Sequence, residues 1–235
     1  MTTTTIQQQY DELIAPHYDL DPQGVTGSTQ DRAAQQIRSQ GLLEHREDPL
    51  QVYDVGMGTG MFLTRLIAMA PDLIEPFGLD LSQKMIDCAY QKLPGLAGAV
   101  DTAANLDAHF PDHAFDLICT HFISGFVPLS VLAPKVWSRL ADGGYWSYLG
   151  ATKAAYPNLQ AKANNKFLRL LFGGQKLDLD SMVLSPRDQR DVHETLERNG
   201  FVVRQCETYQ PRLRFANLDE FLEFAYYGGW LTPFI

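Results

Sequence analysis

Two hydrophobic patterns alternate through the middle of the chain. Short apolar runs, typical of buried strands, are separated by stretches in which apolar residues recur every three or four positions, as on one face of a helix. The apolar runs cover residues 50–55, 77–81, 98–101, 115–122 and 145–151. The helical stretches between them include residues 61–70, the segment between Ser82 and Pro94, and residues 129–140. Because strands that alternate with helices form parallel sheets covered on both faces, the pattern predicts a doubly wound α/β fold with a mostly parallel sheet.

Helical patterns also flank this alternating region. Before it, an amphipathic stretch at residues 10–19 is interrupted at Pro16, and a second helical stretch covers residues 29–43. After it, we predict a helix within residues 156–174, a helix from Ser185-Pro186 to about Asn199-Gly200, a strand at residues 201–206 and a helix at residues 218–227. The last eight residues are strongly apolar, so we expect them to fold over the site, to pack in a homodimer, or to belong to a chain cut short.

These elements predict a single domain at residues 1–235. Its expected parts are an N-terminal helical segment, a strand-rich core, a helical insertion and a C-terminal region of helix, strand and cap, at residues 1–49, 50–152, 153–184 and 185–235. A sizeable core is expected because 45% of the residues are hydrophobic and 11% are aromatic.

Charge and cysteine content narrow the partners and the location. The net charge of -9, without a block of Lys or Arg, opposes binding to phosphate backbones, so we expect no nucleic-acid partner. No apolar run reaches the ~18 residues of a membrane span, and the N-terminus lacks the pattern of a signal peptide. We therefore expect a cytoplasmic protein with no membrane partner. Cys88, Cys119 and Cys206 are widely spaced and odd in number, which favours reduced thiols.

A glycine-rich turn follows the first predicted strand. Asp54 precedes Gly56, Gly58 and Gly60, which have the spacing G-x-G-x-G. Glycines at such a turn let a ligand approach the backbone, and the free N–H groups of the following helix face it. Dinucleotide sites use the spacing G-x-G-x-x-G, so the pattern favours another ligand. The carboxylate of Asp54 also suits an ammonium group better than phosphates.

A second acid, Asp80, closes the second predicted strand. A carboxylate there can accept hydrogen bonds from both hydroxyls of a ribose, and it would repel a 2′-phosphate. An acid at a strand end is usually a solvated surface residue, but the glycine turn before it favours the ribose role.

With these motifs the sequence resembles the class I S-adenosylmethionine-dependent methyltransferases, of the type that acts on small molecules. Four segments carry the resemblance, in the order and spacing of that family: Val-Tyr-Asp-Val-Gly-Met-Gly-Thr-Gly, Gly-Leu-Asp-Leu-Ser-Gln-Lys-Met-Ile, Phe-Pro-Asp-His-Ala-Phe-Asp-Leu-Ile and Leu-Ala-Asp-Gly-Gly-Tyr-Trp. The resemblance implies a Rossmann-like fold, S-adenosyl-L-methionine as cofactor and S-adenosyl-L-homocysteine as product. It also implies an N-terminal helical lid at residues 1–49, and extra helices over the active site.

The resemblance further implies which residues contact the cofactor. Its methionine end is expected to lie against Asp54, Gly56, Met57, Gly58 and Gly60. Asp80 would hold the ribose, Leu81 and Met85 would pack on the adenine, and His121 would lie beside the sulfonium. Met57 stands where the family often has cysteine, a change we expect to be tolerated because that side chain contributes packing.

The segment at the adenine edge has two registers. The family's acid-then-alanine pair aligns with Asp101-Thr102 or, if Leu106 sets the register, with Thr102-Ala103. We prefer Thr102 and Ala103 as the cofactor-binding pair.

Three residues are candidates for catalysis. Tyr10 and Tyr18 lie in a segment that is similar to the family's lid, where a hydroxyl orients the acceptor and a ring attracts the sulfonium. Anchoring a helix is an equally good role for both tyrosines. His121 follows the fourth strand, where a general base would reach an acceptor, although an ordinary polar contact fits at least as well.

Other polar residues give weaker signals. Arg32 and Arg38 could pair with the methionine carboxylate, but for either one a solvated surface arginine is the better interpretation. His109 and His113 have the spacing of a helical metal site, yet Pro111 lies between them, so we predict no metal.

We therefore expect methyl transfer from S-adenosylmethionine to an O, N or C atom of a small, partly apolar molecule, such as an intermediate of secondary metabolism. Three alternatives share the motifs. The first is an enzyme that consumes S-adenosylmethionine in another reaction, such as internal cyclisation with release of methylthioadenosine. The second is an NAD-dependent oxidoreductase, against which the glycine spacing argues. The third is a non-catalytic binding protein.

Overall fold

A sheet of five parallel strands forms the centre of the protein, in a computed structural model that describes residues 3–44, 48–155, 184–230 and 232. The strands are β1 (Leu50–Val55), β2 (Ile74–Asp80), β3 (Ala97–Val100), β4 (Phe115–His121) and β5 (Leu140–Leu149). Their order across the sheet is β3-β2-β1-β4-β5, and every neighbouring pair is parallel. The order reverses between β1 and β4, so a crevice opens at the carboxyl ends of these strands, where doubly wound sheets bind their ligands.

Helices cover both faces of this sheet. The α-helices in the described ranges are α1 (Thr3–Gln9), α2 (Val25–Ser39), α3 (Met61–Met69), α4 (Gln83–Lys92), α5 (Leu129–Arg139), α6 (Gln189–Arg198) and α7 (Leu218–Tyr227). Shorter turns of helix lie at Tyr10–Ile14, Tyr18–Leu20 and Ala103–Ala108. One face of the sheet packs its apolar side chains against α2, α3 and α4, and the other packs against α5. The Rossmann-like α/β class expected from the alternating pattern is confirmed.

Several boundaries also agree with the sequence. Ser82 caps α4, because its hydroxyl accepts a hydrogen bond from the backbone N–H of Met85 at 3.1 Å. The last helix, α7, has the predicted bounds and is capped by Asn217. The helix predicted at residues 29–43 begins earlier, at Val25, and ends at Ser39.

The predicted strand at residues 201–206 is wrong, because no strand forms there. The ring of Phe201 contacts that of Trp146, at a centroid distance of 5.0 Å, on the side of the sheet covered by α5. Six residues later, Glu207 pairs with Arg32 of α2, which covers the opposite face. The segment therefore crosses the edge of β5 instead of pairing with it.

Two other expectations need correction, and a third concerns residues that the structure does not describe. The Ser185-Pro186 start of a helix is wrong, since Asp188 caps α6 through the N–H of Asp191. The fifth strand was expected to begin at residue 145, after the glycines at 143 and 144. Instead β5 begins at Leu140 and includes both glycines, with an irregular register opposite β4. The helix expected within residues 156–174, and most of the insertion at 153–184, lies outside the described residues.

Within the described ranges, every helix is too short or too polar to cross a lipid bilayer.

Gly78 in β2 is required by a close approach of the glycine turn. A Cβ atom at this position would lie 2.0 Å from the sulfur of Met57. We expect Gly78→Ala to lower the free energy of unfolding by about 1–3 kcal/mol, because the buried thioether must be displaced. Denaturant unfolding of Gly78→Ala, Met57→Ala and the double variant tests this, since removing the thioether relieves the clash. Additive losses in the double variant would contradict the expected collision.

Candidate functional site

The glycine turn between β1 and α3 borders the crevice. Gly56, Gly58 and Gly60 have φ angles of 75°, 57° and 77°, in the left-handed region that favours glycine. Cβ atoms at Gly56 and Gly60 would lie 2.3 Å from Ile123 and 2.6 Å from Leu93, so these two glycines allow close packing. Gly58 differs, because it faces the N-terminal segment. The backbone of the turn at Gly58 therefore lies against the N-terminal segment.

Met57 points away from the crevice. Its side chain is buried in the core cluster on the face covered by α2, α3 and α4, and its sulfur lies over Gly78. The packing expected for this side chain is therefore observed. Any contribution of Met57 to cofactor binding is limited to its backbone, whose N–H donates to the carbonyl of Leu79 at 3.1 Å.

Asp54 presents a buried carboxyl group at the carboxyl end of β1. The residue is 1% exposed, and its Oδ1 atom has no hydrogen-bond partner. Burial, and secondarily the nearby charge of Asp80, raises the pKa of Asp54 to about 8. An unpartnered buried carboxyl group is costly, and a cationic ligand group would compensate that cost.

Asp80 connects the glycine turn to the next helix. Its Oδ2 accepts the N–H of Gly58 at 2.8 Å, and its Oδ1 accepts the N–H of Ser82 at 2.9 Å. Burial raises the pKa of Asp80 to about 6, against the opposing effect of these hydrogen bonds. Each carboxylate oxygen can accept a second hydrogen bond, so both remain able to bind a ribose hydroxyl. Leu81, the next residue, is half-buried.

The residues at the N-terminus cover this turn as a lid, which we define as residues 10–20. Ile14 and Ala15 pack on Met85 of α4, together with the rings of Tyr10 and Tyr18. The ring of Tyr18 lies 3.4 Å from the position of a Cβ atom on Gly58. The predicted lid therefore contacts both the glycine turn and the helix expected to border the adenine.

Two acids hold the lid in place. Asp11 accepts hydrogen bonds from the hydroxyl of Ser82 at 2.5 Å and from the N–H of Lys84 at 3.1 Å. Asp19 accepts the hydroxyl of Thr59 at 2.5 Å and also pairs with Lys92. The lid is thus fastened to both elements that flank Asp80.

The C-terminal residues pack over the lid from the other side. The ring of His17 lies 4.6 Å from that of Tyr227, and the hydroxyl of Tyr10 lies 2.9 Å from the position of a Cβ atom on Gly229. The ring of Trp230 lies 5.8 Å from that of Phe122, which directly follows β4. The described residues of the apolar C-terminus, 228–230 and 232, therefore lie close to the lid.

Tyr10 and Tyr18 are phenols in an acidic environment. Burial raises the pKa of both hydroxyls well above the usual range, and the negative charge of Asp80 adds to the effect at each. Both side chains therefore stay protonated and can donate a hydrogen bond.

His121 closes β4 in an enclosed position. It is 5% exposed, its Nε2 lies 3.0 Å from the hydroxyl of Ser147, and its ring lies 4.3 Å from that of Phe62. Burial lowers the pKa of His121 to about 3, so the ring is neutral at physiological pH. Its Nδ1 has no hydrogen-bond partner. A nitrogen with so low a pKa is a weak general base but a usable polar contact.

The adenine-edge segment favours one of the two registers. The Oδ1 of Asp101 accepts from the N–H of Thr102 at 2.7 Å and from Asn105, and its Oδ2 binds His109 at 2.9 Å. These bonds outweigh burial and lower the pKa of Asp101. Since both of its oxygens are engaged, Thr102 and Ala103, at the start of the Ala103–Ala108 helix, remain our prediction for the adenine contact.

Several other sequence candidates lie away from the crevice. Arg32 pairs with Glu207 and lies 4.3 Å from the ring centroid of Tyr209, so it does not face the site. His109 and His113 bind different partners, because the latter contacts Gln51 at 3.2 Å.

Sequence reasoning missed two polar residues, Gln30 and Ser147. Ser147, in β5, bonds to His121, and Gln30, in α2, is 5% exposed. For Gln30 the sequence did offer a signal, because a glutamine among the apolar positions of one helical face indicates a buried polar group.

The carboxyl of Asp54 leads to a pH-dependent prediction. Its pKa is raised from 3.8 to about 8 in the folded state, so folding takes up a proton between these pH values and wild-type stability falls as the pH rises through them. We expect the stability of Asp54→Asn not to fall in this way. The difference between the thermal midpoints of Asp54→Asn and wild type should therefore shift in favour of the variant by at least about 2–4 °C from pH 5 to pH 8. Exposed Asp87 gives the control Asp87→Asn, whose offset should be constant; a constant offset for Asp54→Asn would refute the prediction.

Comparison with known proteins identifies related sequences. Residues 52–144 match the family model of a methyltransferase domain. The chain is 35% identical over 99 residues to a trans-aconitate 2-methyltransferase of Methylobacterium radiotolerans, covering 42% of this chain and 36% of that protein. It is 25% identical over 182 residues to a carboxy-S-adenosyl-L-methionine synthase of Nitratiruptor, covering 73% and 74%. The match thus spans about a third of the first relative and about three quarters of the second.

Solved structures share the fold. A plantazolicin methyltransferase in complex with a triazolic desmethylPZN analogue and S-adenosylhomocysteine superposes with a TM-score of 0.59 at 15% identity, covering 84% of this chain and 72% of that one. A magnesium protoporphyrin IX methyltransferase from Synechocystis, with bound S-adenosylhomocysteine, gives a TM-score of 0.57 at 18% identity, covering 87% and 91%. At these identities the likeness concerns the fold.

Proposed function

We propose that this chain, which over residues 52–144 belongs to the methyltransferase domain family, binds S-adenosylmethionine and transfers its methyl group to a small molecule. One observation carries the proposal. Two carboxyl groups, Asp54 and Asp80, border the same glycine turn at the carboxyl ends of adjacent strands, and Asp54 has a buried oxygen without a partner. This arrangement suits a ligand that carries an ammonium group and a ribose.

The residues present fit this cofactor. Asp80 would accept the ribose hydroxyls while it keeps its bonds to the turn, and Asp54 would accept the ammonium group of the methionine end. We assign Gly56, Gly58 and Gly60 as the residues whose backbone the methionine end of the cofactor approaches. Leu81, Met85, Thr102 and Ala103 are assigned to the adenine.

When bound, S-adenosylmethionine supplies an electrophilic methyl group on a sulfonium, which an acceptor O, N or C atom attacks as the bond from carbon to sulfur breaks. The protein contributes position and exclusion of water. The lid and the C-terminal residues around Trp230 would enclose the reacting groups. Protonated Tyr10 and Tyr18 would orient the acceptor by donating hydrogen bonds, and their rings would face the sulfonium.

His121 is assigned a contact role beside the sulfonium. Since its pKa is about 3, removal of a proton from the acceptor by His121 would be inefficient at neutral pH. The acceptor is therefore expected to be nucleophilic without a strong base, or to lose its proton to another group.

Aromatic side chains near the lid suggest the character of the acceptor. Tyr10 lies 6.1 Å from the ring of Phe126, and Phe122 contacts Trp230. Such surroundings fit a small, partly apolar molecule. The related proteins named above include enzymes that methylate small molecules, in keeping with this class.

A second use of the same pocket is the chemical modification of S-adenosylmethionine itself. The relative that aligns over 73% of this chain is named as a carboxy-S-adenosyl-L-methionine synthase. Analysis of the nucleoside products separates the two. Methyl transfer yields S-adenosylhomocysteine, whereas the alternative yields a modified S-adenosylmethionine or methylthioadenosine.

Location and assembly complete the proposal. Cys88, Cys119 and Cys206 are free thiols, which suits a reducing cytoplasmic compartment. A homodimer would use the C-terminal face, where Leu218 and Leu222 are 67% and 43% exposed. Light scattering after size exclusion measures the oligomeric state.

Asp80→Asn tests the binding of the ribose. The variant loses the charge that strengthens hydrogen bonds from the hydroxyls, so we expect the affinity for S-adenosylhomocysteine to fall about 10- to 100-fold in calorimetry. Asp87→Asn, an exposed acid on the adjacent α4, should bind like wild type. Wild-type protein that binds neither S-adenosylmethionine nor S-adenosylhomocysteine would overturn the proposed function.

Binding should also release a proton near pH 7. Asp54, whose pKa is about 8, is mostly protonated before binding, and an ammonium group beside it favours the ionised form. Affinity for S-adenosylhomocysteine should therefore rise as the pH increases from 6 to 8. Calorimetry in buffers of different ionisation enthalpy measures the release. Asp54→Asn should show much less of it, and equal release by both proteins would contradict the assigned contact.

A further inference from the structure

We propose that Gln30, on the inner face of α2, binds the amino-acid end of the S-adenosyl ligand together with Asp54 and His121. This inference rests on the proposed function and extends it, because it assigns to a neutral side chain the selection of ligands that carry an intact α-amino acid.

Gln30 has an unusual position for a glutamine. It belongs to the stripe of α2 that faces the sheet, with Ala33, Ala34 and Ile37, at the spacing of one helical face. The residue is 5% exposed, and its Oε1 has no hydrogen-bond partner. Buried amide oxygens are normally hydrogen-bonded, so an orphaned one indicates a group that binds there.

The direction of α2 brings Gln30 to the level of Asp54. Leu42, just after α2, and Leu50, at the start of β1, line the same surface pocket, so the carboxyl end of α2 lies near the start of β1. From Ile37 back to Gln30 the helix rises ~10 Å, and from Leu50 to Asp54 the strand advances ~13 Å. Both residues therefore lie near the carboxyl edge of the sheet, on the same face.

Contacts between α2 and α3 support this placement. The side chain of Asp31, next to Gln30, accepts a hydrogen bond from Arg65 of α3 at 3.0 Å. One turn earlier on α3, Phe62 contacts the ring of His121. The amino-terminal half of α2 thus lies beside the part of α3 that covers His121.

Three polar atoms without hydrogen-bond partners belong to residues on this side of the sheet. They are Oε1 of Gln30, Oδ1 of Asp54 and Nδ1 of His121, each on a residue that is at least 95% buried. An interior that leaves all three unpaired would be costly. We infer that one polar ligand group bound between α2 and the carboxyl ends of β1 and β4 pairs with all three.

The chemistry of these groups matches an α-amino acid. A carboxamide offers both an acceptor and donors, so Gln30 can accept from the ammonium group and donate to the neighbouring carboxylate. Asp54 supplies the negative charge for the ammonium group. Arg32 is turned away toward Glu207, so it does not serve the carboxylate. Together, Gln30 and Asp54 therefore select ligands that carry both the ammonium group and the carboxylate of an α-amino acid.

Calorimetry with two ligands tests the assignment. S-adenosylhomocysteine carries the amino acid, whereas 5′-methylthioadenosine has the same adenosine and thioether without it. In Gln30→Leu we expect the affinity for S-adenosylhomocysteine to fall about tenfold or more, and that for 5′-methylthioadenosine to change less than about threefold.

Matched variants separate binding from folding. Gln35→Leu makes the same change on the exposed face of α2 and should bind both ligands like wild type. Thermal unfolding confirms that each variant folds, and Gln30→Met provides an unbranched side chain of similar length if the leucine variant does not fold.

The outcomes are distinct. Loss confined to S-adenosylhomocysteine supports the inference. Unchanged affinities, or equal losses for both ligands in a folded variant, overturn it while leaving the proposed function intact. Failure of the wild type to bind S-adenosylhomocysteine would instead reject the proposed function.

Discussion

The carboxylate of Asp80 joins the segments on which the site depends. One oxygen accepts the N–H of Gly58 in the glycine turn, and the other accepts the N–H of Ser82 at the start of α4. Charge-assisted bonds of this kind are stronger than those between neutral groups. They fix the end of β2, the turn after β1 and the beginning of α4 relative to one another.

The lid uses the same network. Ser82 both caps α4 and donates to Asp11, while Thr59 in the glycine turn donates to Asp19. These two hydrogen bonds join the lid to the start of α4 and to the glycine turn. A change in either element would therefore also alter the position of the lid. Tyr18, which lies against Gly58, couples the covering segment to the backbone position that the turn exposes.

Burial without pairing is the second constraint. Asp54, His121 and Gln30 retain polar atoms that nothing among the described residues satisfies, although the apolar clusters around them are closely packed. A protein keeps such a cost where a ligand compensates for it. The cost is also visible in the pKa of Asp54, raised to about 8, and in that of His121, lowered to about 3.

The sequence by itself determined the elements whose signals are local. Apolar runs and helical periodicity indicated the five strands, Ser82 could be recognised as a cap, and the glycine spacing with Asp54 and Asp80 indicated the crevice, because each depends on neighbours in the chain. Tertiary structure alone decided the rest. It showed that residues 201–206 cross the edge of β5, that Met57 faces the core, and that Arg32 pairs with Glu207. It also decided that Gln30 is buried, since the face of a helix that packs on the sheet depends on contacts between residues far apart in the chain.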